Sequence, residues 1–291
     1  MDASRYRIRL LQASDIDAAL DLMAQANPSY DTQSLAANRR LLEIATAPAG
    51  TRPTEESLRE MSRELVKLSG GALTADEVYR RLSEKAAAGE DLVAGALLTL
   101  VAEEIATGQV VGLVNAGPPA KWAHHALTQL PAPMVQQMRE RVVEISEIAV
   151  SPGARRQGIG QELMNTLLNL DSQAAQSWRV AMWFFHENNG FGDFHRAMAP
   201  EWPVGRPIAF LDSARQVANF RELTGDLRAC VAPLHQDLKL VVDATTGIPA
   251  IEGVFDQLWP ETHAAPLPTP HSKPSKSERK REKKARGRAR G

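Results

Sequence analysis

The sequence predicts a mixed α/β (α+β) layer protein built on a twisted sheet. Three observations predict it. Residues 12–89 carry mostly helical apolar spacing, the next sixty residues change to strand-length apolar runs, and strand–loop–helix units follow. The 291-residue chain is 43% apolar and 24% charged, enough to bury a sizeable core.

The elements follow in order. Residues 5–11, YRIRLLQ, alternate as a strand. Ser14-Asp-Ile-Asp then caps a helix with Ile16, Leu20 and Met23 on one face, closed by Asn27-Pro28. Residues 29–50 are ambiguous, with a helical patch near 34–46. Thr54 to Leu68 repeats Leu58, Met61, Leu65 and Leu68 at helical spacing, and Gly70-Gly71 stops it. Thr74-Ala-Asp-Glu77 is a capping box that opens another helix, ending at Gly89.

Val93 to Ala102 is an apolar run of strand length. Ala106-Thr-Gly-Gln109 supplies a turn, and Val110 to Asn115 completes an antiparallel hairpin. Residues 117–141 begin Pro-rich, continue helical and read as an insertion. Val142 to Val150 is a strand, Gly158 to Leu170 a helix with Ile159, Leu163, Leu167 and Leu170 inward. Arg179 to Phe185 is a strand, Phe191 to Met198 a short helix, and Ile208 to Leu211 a further strand. Residues 213–262 mix helical and extended signals and stay unassigned.

Charge divides the chain unevenly. Residues 272–291 hold ten Lys/Arg and two Glu, a net of +8, so the −1 total leaves −9 on the other 271 residues. Residues 263–291 combine proline, serine and like charge, the composition of a disordered polybasic tail. Such a tail offers salt-sensitive contacts to nucleic acid or the ribosome, and equally fits a solubilising segment. The one cysteine, Cys230, excludes an intramolecular disulfide and any cysteine-based metal cluster. With no apolar segment of membrane-spanning or secretory length, a cytoplasmic location is expected. His124, His125 and Trp122 lack ligand spacing, and no metal site is expected. Oligomeric state and acceptor identity are not legible.

The chemistry concentrates in EISEIAVSPGARRQGIGQEL, residues 144–163. A strand carrying Glu144 and Glu147 breaks at Pro152-Gly153 and restarts as a helix at Gly158. Free N–H groups and the macrodipole make a helix start a site for anions, and glycine lets them approach closely. Arg155 and Arg156 add positive charge. A glycine-relaxed turn explains the same pattern without a ligand. No Gly-Lys-Ser/Thr follows, which excludes a Walker loop, and Leu163 stands where a dinucleotide fingerprint needs glycine.

Arg155-Arg-Gln-Gly-Ile-Gly160 resembles the Arg/Gln-x-x-Gly-x-Gly/Ala signature of the GNAT family of acyl-CoA-dependent N-acetyltransferases. Asn188-Asn-Gly-Phe-Gly-Asp-Phe-His195 resembles that family's Asn-x-x-Ala-x-x-Phe-Tyr segment, with Phe191 in place of the alanine and Ala199 in place of a later glycine. The resemblance spans about residues 93–202. It implies the GNAT fold: a central, mostly antiparallel twisted sheet with splayed central strands and flanking helices. Residues 1–262 would form this domain, with 29–90 and 117–141 as helical insertions.

It also implies acetyl-CoA as co-substrate. Backbone N–H groups from Arg156 through Gln157, Gly158, Ile159 and Gly160 to Gln161 would hold the pyrophosphate, with Arg155 opening the loop. Pantetheine would pair with Ile148, Ala149 and Val150, with Asn188 on the opposite arm. A small-molecule or protein amine would attack directly. Glu144 or Glu147 is the implied base; in a regular strand they face opposite sides, and a bulge of the kind the family often has would alter that. His195 replaces the tyrosine that many members use as the leaving-thiolate acid, and a buried structural histidine is the competing reading. The functional alternative is an acyl-CoA-binding sensor or interaction module without turnover.

Overall fold

A computed structural model describes residues 2–46, 54–56, 58–59, 62–63, 74–87, 98–119, 130, 132–170, 177–212, 215–244 and 246–255. These fall in a unit spanning Met1–Asp256; residues 257–291, with the polybasic tail expected at 263–291, lie outside the described residues. The strand expected from Val93 is described only from Leu98, and the helix expected over 54–68 only at six helical positions.

Chain order is β1 (Tyr6–Leu10), a 3₁₀ turn (Ala13–Asp15), α1 (Ile16–Ala26), α2 (Thr32–Ala45), α3 (Ala75–Ala87), β2 (Leu98–Glu104), β3 (Gln109–Gly117), α4 (Ala132–Arg141), β4 (Val142–Val150), α5 (Ile159–Leu168), β5 (Val180–His186), α6 (Gly192–Met198), β6 (Pro207–Asp212), β7 (Arg215–Glu222), β8 (Leu227–Pro233), β9 (Lys239–Val242) and β10 (Pro249–Glu252). The Thr74 cap is present: its hydroxyl accepts from the Glu77 N–H at 3.2 Å.

The main sheet runs β1-β2-β3-β4-β5-β8. Its one parallel neighbour pair is β4–β5; the others are antiparallel. Helices cover both faces. On one, α5 packs Ile159, Leu163, Met164 and Leu167 against Val111, Val143, Ile145, Trp183 and Phe185. On the other, α1 and α2 pack Ile16, Ala19, Leu20, Met23 and Leu42 against Val101, Val110, Leu113 and Ala149. Burying each of these large side chains stabilises the fold by about 1.5–3 kcal/mol before chain entropy is counted.

The strand predicted at Ile208 leaves this layer. Pro200, Pro203 and Gly205 carry the chain off the sheet, and β6 joins a second, four-stranded sheet ordered β7-β6-β10-β9. The place beside β5 is taken by β8, whose Ala229, Cys230 and Val231 are fully buried. Residues after β10 meet the ends of the main layer: Arg141 donates to the Val254 carbonyl at 3.0 Å and Arg179 to that of Gly253 at 2.8 Å.

A largely buried ion cluster joins β1, β2 and the entry to α1. Arg9 donates to Asp15 at 2.6 Å and also pairs with Glu103, which Arg7 reaches at 2.7 Å. Asp15 in turn accepts from the Gln12 N–H at 2.8 Å. Side-chain hydrogen bonds from Arg9 hold both carboxyls below their usual range. Removing Arg9 leaves Asp15 and Glu103 short of their common partner, and unpaired buried charge is costly. Arg9→Ala is expected to destabilise the protein by about 3 kcal/mol in urea unfolding, more than Arg5→Ala at the exposed end of the same strand.

Candidate active site

The site is built by β4 parting from β5. Their pairing covers Val142–Ile145 against Val180–Trp183 and then ends. β5 continues alongside β8 as far as His186 opposite Leu227, while Ser146–Val150 stay with β3. The two central strands therefore form a fork, and among the described residues no strand pairs with the β5-facing backbone edge of Ser146–Val150 there. Ile148, Ala149 and Val150 lie on this arm.

At the fork the β3–β4 register shifts. Asn115 faces Glu147, but Ala116 faces Ile145, leaving Ser146 unmatched. This bulge inverts the strand's alternation. Glu147 stands opposite Asn115 and Glu144 opposite Gly117, two residues apart on β3, so both glutamates lie on one face. It is the face packed by α1: Ala149 belongs to that core, whereas Ile145, Ile148 and Val150 belong to the α5 side.

Glu147 is partly buried, and the Tyr30 hydroxyl, from the α1–α2 turn, donates to its Oε2 at 2.6 Å. Burial pushes the Glu147 carboxyl above the usual carboxylate range, against the opposing pull of the Tyr30 bond. Among the described residues it has no ion-pair partner. Asn115, beside it, is buried and its Oδ1 accepts from Thr99 at 3.1 Å. Tyr30 was missed by the sequence reading, which saw only a helix end at Asn27-Pro28; an aromatic in a polar turn was the available signal.

Beyond β4 the chain makes a 3₁₀ turn, Pro152–Ala154, and enters α5 through two left-handed residues, Arg156 (φ 61°) and Gly158 (φ 76°). Arg156 adopts this conformation without being glycine, at a cost of about 1 kcal/mol. Left-handed residues in a loop are a means of turning successive N–H groups into an anion-binding concavity. The Gly158 N-cap has no side-chain capping bond, so the first-turn N–H groups of Ile159, Gly160 and Gln161 are open to a ligand. The Gln157 side chain is spent on the scaffold: its Oε1 accepts from the Tyr6 hydroxyl at 2.9 Å, and its Nε2 donates to the Gly153 carbonyl at 3.3 Å. Arg155 donates to the Val150 carbonyl at 3.1 Å and otherwise lies exposed. Gly112 of β3 lets α5 sit close, since a Cβ there would meet Ile159 at 3.1 Å and Leu163 at 3.2 Å.

The opposite arm ends in a turn, Glu187–Asn189, where Asn188 donates to Asp226 at 3.1 Å and His186 meets the same carboxylate at 3.2 Å. Arg196 of α6 braces this turn through Glu187 and Glu201, and Arg228 meets Glu187 at 2.8 Å. His195 is only 6% exposed. Its Nδ1 accepts from the Trp183 indole at 3.2 Å, and its ring stacks on Phe185 at 4.3 Å. Burial, then Arg196, pushes its pKa down to about 4. Near neutral pH it is a neutral imidazole accepting at Nδ1. The arrangement gathers Glu144, Glu147, Ile148–Val150 and the α5 entry around the β4 arm, and sets Asn188 and His195 on the β5 side. Among the described residues no group of three His, Cys, Asp or Glu side chains could hold a metal, and no helix is long and apolar enough to cross a membrane.

Residues 68–196 match the model of the acetyltransferase (GNAT) family. Solved structures similar to this chain include an acetyltransferase of the GNAT family from Desulfovibrio desulfuricans, at 11% identity and TM-score 0.41, covering 79% of this chain and 99% of that one. A diaminobutyrate acetyltransferase from Paenibacillus lautus, in complex with L-2,4-diaminobutyric acid and coenzyme A, has 16% identity, TM-score 0.39 and coverage of 80% and 98%. A spermidine N-acetyltransferase variant from Vibrio cholerae has 12% identity, TM-score 0.38 and coverage of 79% and 95%. No curated protein sequence matches.

Two protonation states of the site can be read as stability. The folded pKa of His195 lies below its ordinary 6.5, so its contribution is full above about pH 6.5 and lost as pH falls toward about 4. A loss on the order of 3 kcal/mol across that window is expected, and His195→Gln should flatten this part of the urea-unfolding profile. The folded pKa of Glu147 is raised, so its contribution is full below the ordinary carboxylate pKa and is lost as pH rises from there through the folded value. Glu147→Gln should raise Tm above that of the parent near pH 8, with the gain vanishing near pH 4 in a pH series of thermal melts.

Proposed function

We propose that the GNAT domain moves an acetyl group from acetyl-CoA to a primary amine by direct attack. The observation that carries this reading is the fork: β4 leaves β5 after four residue pairs, beside a carboxyl with a raised pKa and an uncapped helix start. Pyrophosphate would sit on the N–H groups between Arg156 and Gln161, with the Arg155 and Arg156 guanidiniums as counter-charge. Pantetheine would lie against the β5-facing edge of Ile148–Val150, hydrogen-bonding as an added strand does, with the Val150 carbonyl already taken by Arg155. Asn188 would face it from the other arm.

An ammonium must lose a proton before it can attack a thioester. Glu147 is the base we favour. It is partly buried on the β4 arm, and its raised pKa makes it a stronger proton acceptor than a solvated carboxylate. Glu144 shares its face and is suited to attract the cationic amine. A backbone N–H near Ile148 or Ala149 would stabilise the tetrahedral oxyanion. His195 is set aside as the thiolate acid, because its cationic form is strongly disfavoured near neutral pH and Nδ1 is occupied by Trp183. Thiolate leaves unassisted by it, and the imidazole packs the β5 arm.

A second reading, an acyl-CoA-binding module without turnover, is favoured by one observation: the position that matches the family's acid is buried in packing. A thiol-release assay with acetyl-CoA and a panel of small amines and lysine peptides separates the two. Turnover with at least one amine class is expected, with Glu147→Gln lowering kcat by about 10²–10⁴-fold at little change in CoA affinity, while His195→Gln retains kcat within about threefold. Coenzyme A at a hundredfold excess over Kd should stabilise the protein by about 2.7 kcal/mol; no thermal shift would overturn CoA binding itself, and a shift without turnover would favour the module.

A further inference from the structure

We propose that Tyr30 is a positioning residue for the acetyl transfer: its hydroxyl fixes the Glu147 carboxylate through Oε2 and keeps Oε1 as the proton acceptor for the incoming amine. The inference rests on the assignment of Glu147 as the base. Tyr30 follows α1, 117 residues from Glu147, and its hydroxyl reaches Oε2 at 2.6 Å. Among the described residues Oε1 has no hydrogen-bond partner, so one oxygen is held and the other is left for chemistry.

The phenol is itself held in place. Its side chain packs against the α1-side core, the cluster to which Ala149 of β4 belongs. The Tyr30 N–H donates to the Asn27 carbonyl at 3.0 Å, closing the turn that Asn27-Pro28 begins. Asn27 binds Ser29 through its own side chain at 2.6 Å, bracing the same turn. Glu147 also has little freedom, because the bulge at Ser146 sets its face and Asn115 stands opposite. A hydrogen bond between two fixed groups directs a carboxylate more sharply than one made by a mobile surface side chain.

The charged and titratable groups on the described elements around Glu147 are these. From α1, Asp17 pairs with Arg39 of α2 and, like Asp21, is exposed to solvent. From β3, the neighbour is the uncharged Asn115; on β4 it is Glu144. From the α1–α2 turn, Tyr30 is the titratable group that contacts Glu147. Burial and the Glu147 contact push the phenol itself up to about 12, so it stays a donor throughout the working range. A neutral donor to a carboxylate favours the ionised form, so the Tyr30 bond opposes the burial that raises Glu147. Its removal must raise the Glu147 pKa further.

Tyr30→Phe keeps the ring and deletes the hydroxyl. The pH profile of kcat is expected to keep its shape while its acidic limb moves up by about one pH unit. The variant would then be about tenfold slower than the parent below the limb, with the gap narrowing as pH rises; the KM for acetyl-CoA stays unchanged. A merely structural role for Tyr30 would lower the rate evenly at all pH values and leave the limb in place. The second readout needs no turnover: carboxyl ¹³C NMR titration of the CoA-free protein, with Glu147 assigned from Glu147→Gln, should show the same upward move in Tyr30→Phe. An unmoved limb and an unmoved NMR titration, with Glu147→Gln inactive, overturn the inference and leave the base assignment standing. Full kcat in Glu147→Gln overturns the base assignment, and the role of Tyr30 falls with it.

Discussion

Four residues of β4 pair with β5 and the next five do not, and the candidate site depends on that limit. A parallel pair left intact would satisfy every backbone group between the strands and leave no place for a ligand to add hydrogen bonds. Here the pairing holds through Ile145 and Trp183 and then parts, while the outer partners, β3 and β8, keep each arm rigid. The cleft is thus a fixed feature of the sheet. Its walls are strands that also pair on their other sides, β4 with β3 around the unmatched Ser146 and β5 with β8 along its length.

The bulge at Ser146 makes the fork chemically useful. Without it Glu147 would share the face of Ile145, against α5 and the apolar core. One unmatched residue turns it instead toward α1, alongside Glu144 and opposite Asn115. The same inversion returns Ile148 and Val150 to the α5 side, so the core is not interrupted. A single local irregularity separates a charged face from an apolar one within nine residues.

Burial then sorts the titratable groups. Glu147 is raised by desolvation but keeps one donor, which leaves it basic and ionisable. His195 is lowered by the same effect and has its Nδ1 taken by Trp183, which leaves it neutral. The contrast is the ground for proposing Glu147 as the base and His195 as packing. Farther out, ion clusters brace both arms, with Arg9 tying β1 to β2 and to the α1 entry, and Arg196 and Arg228 tying the Asn188 turn to α6 and β8.

Much of the fold was legible in the sequence. The alternation of Tyr6–Leu10, the Asn27-Pro28 stop, the Thr74 cap and the strand at Val142–Val150 are local signals, set by side-chain period and capping chemistry that need no distant partner. The glycine turn into α5 and the Asn188–His195 segment likewise carried the likeness that the family model matches. What the sequence could not decide were the quantities that distant contacts set. Ile208–Leu211 reads as a strand, but which sheet it joins depends on β8 occupying the place beside β5. The faces of Glu144 and Glu147 depend on a register shift against β3, because alternation along one strand is blind to an unmatched residue in its pairing. Tyr30 meets Glu147 across 117 residues, and the protonation of His195 follows from the indole and phenyl rings that enclose it. Local period and capping determined the elements; register, burial and long-range hydrogen bonds decided which of their residues could do chemistry.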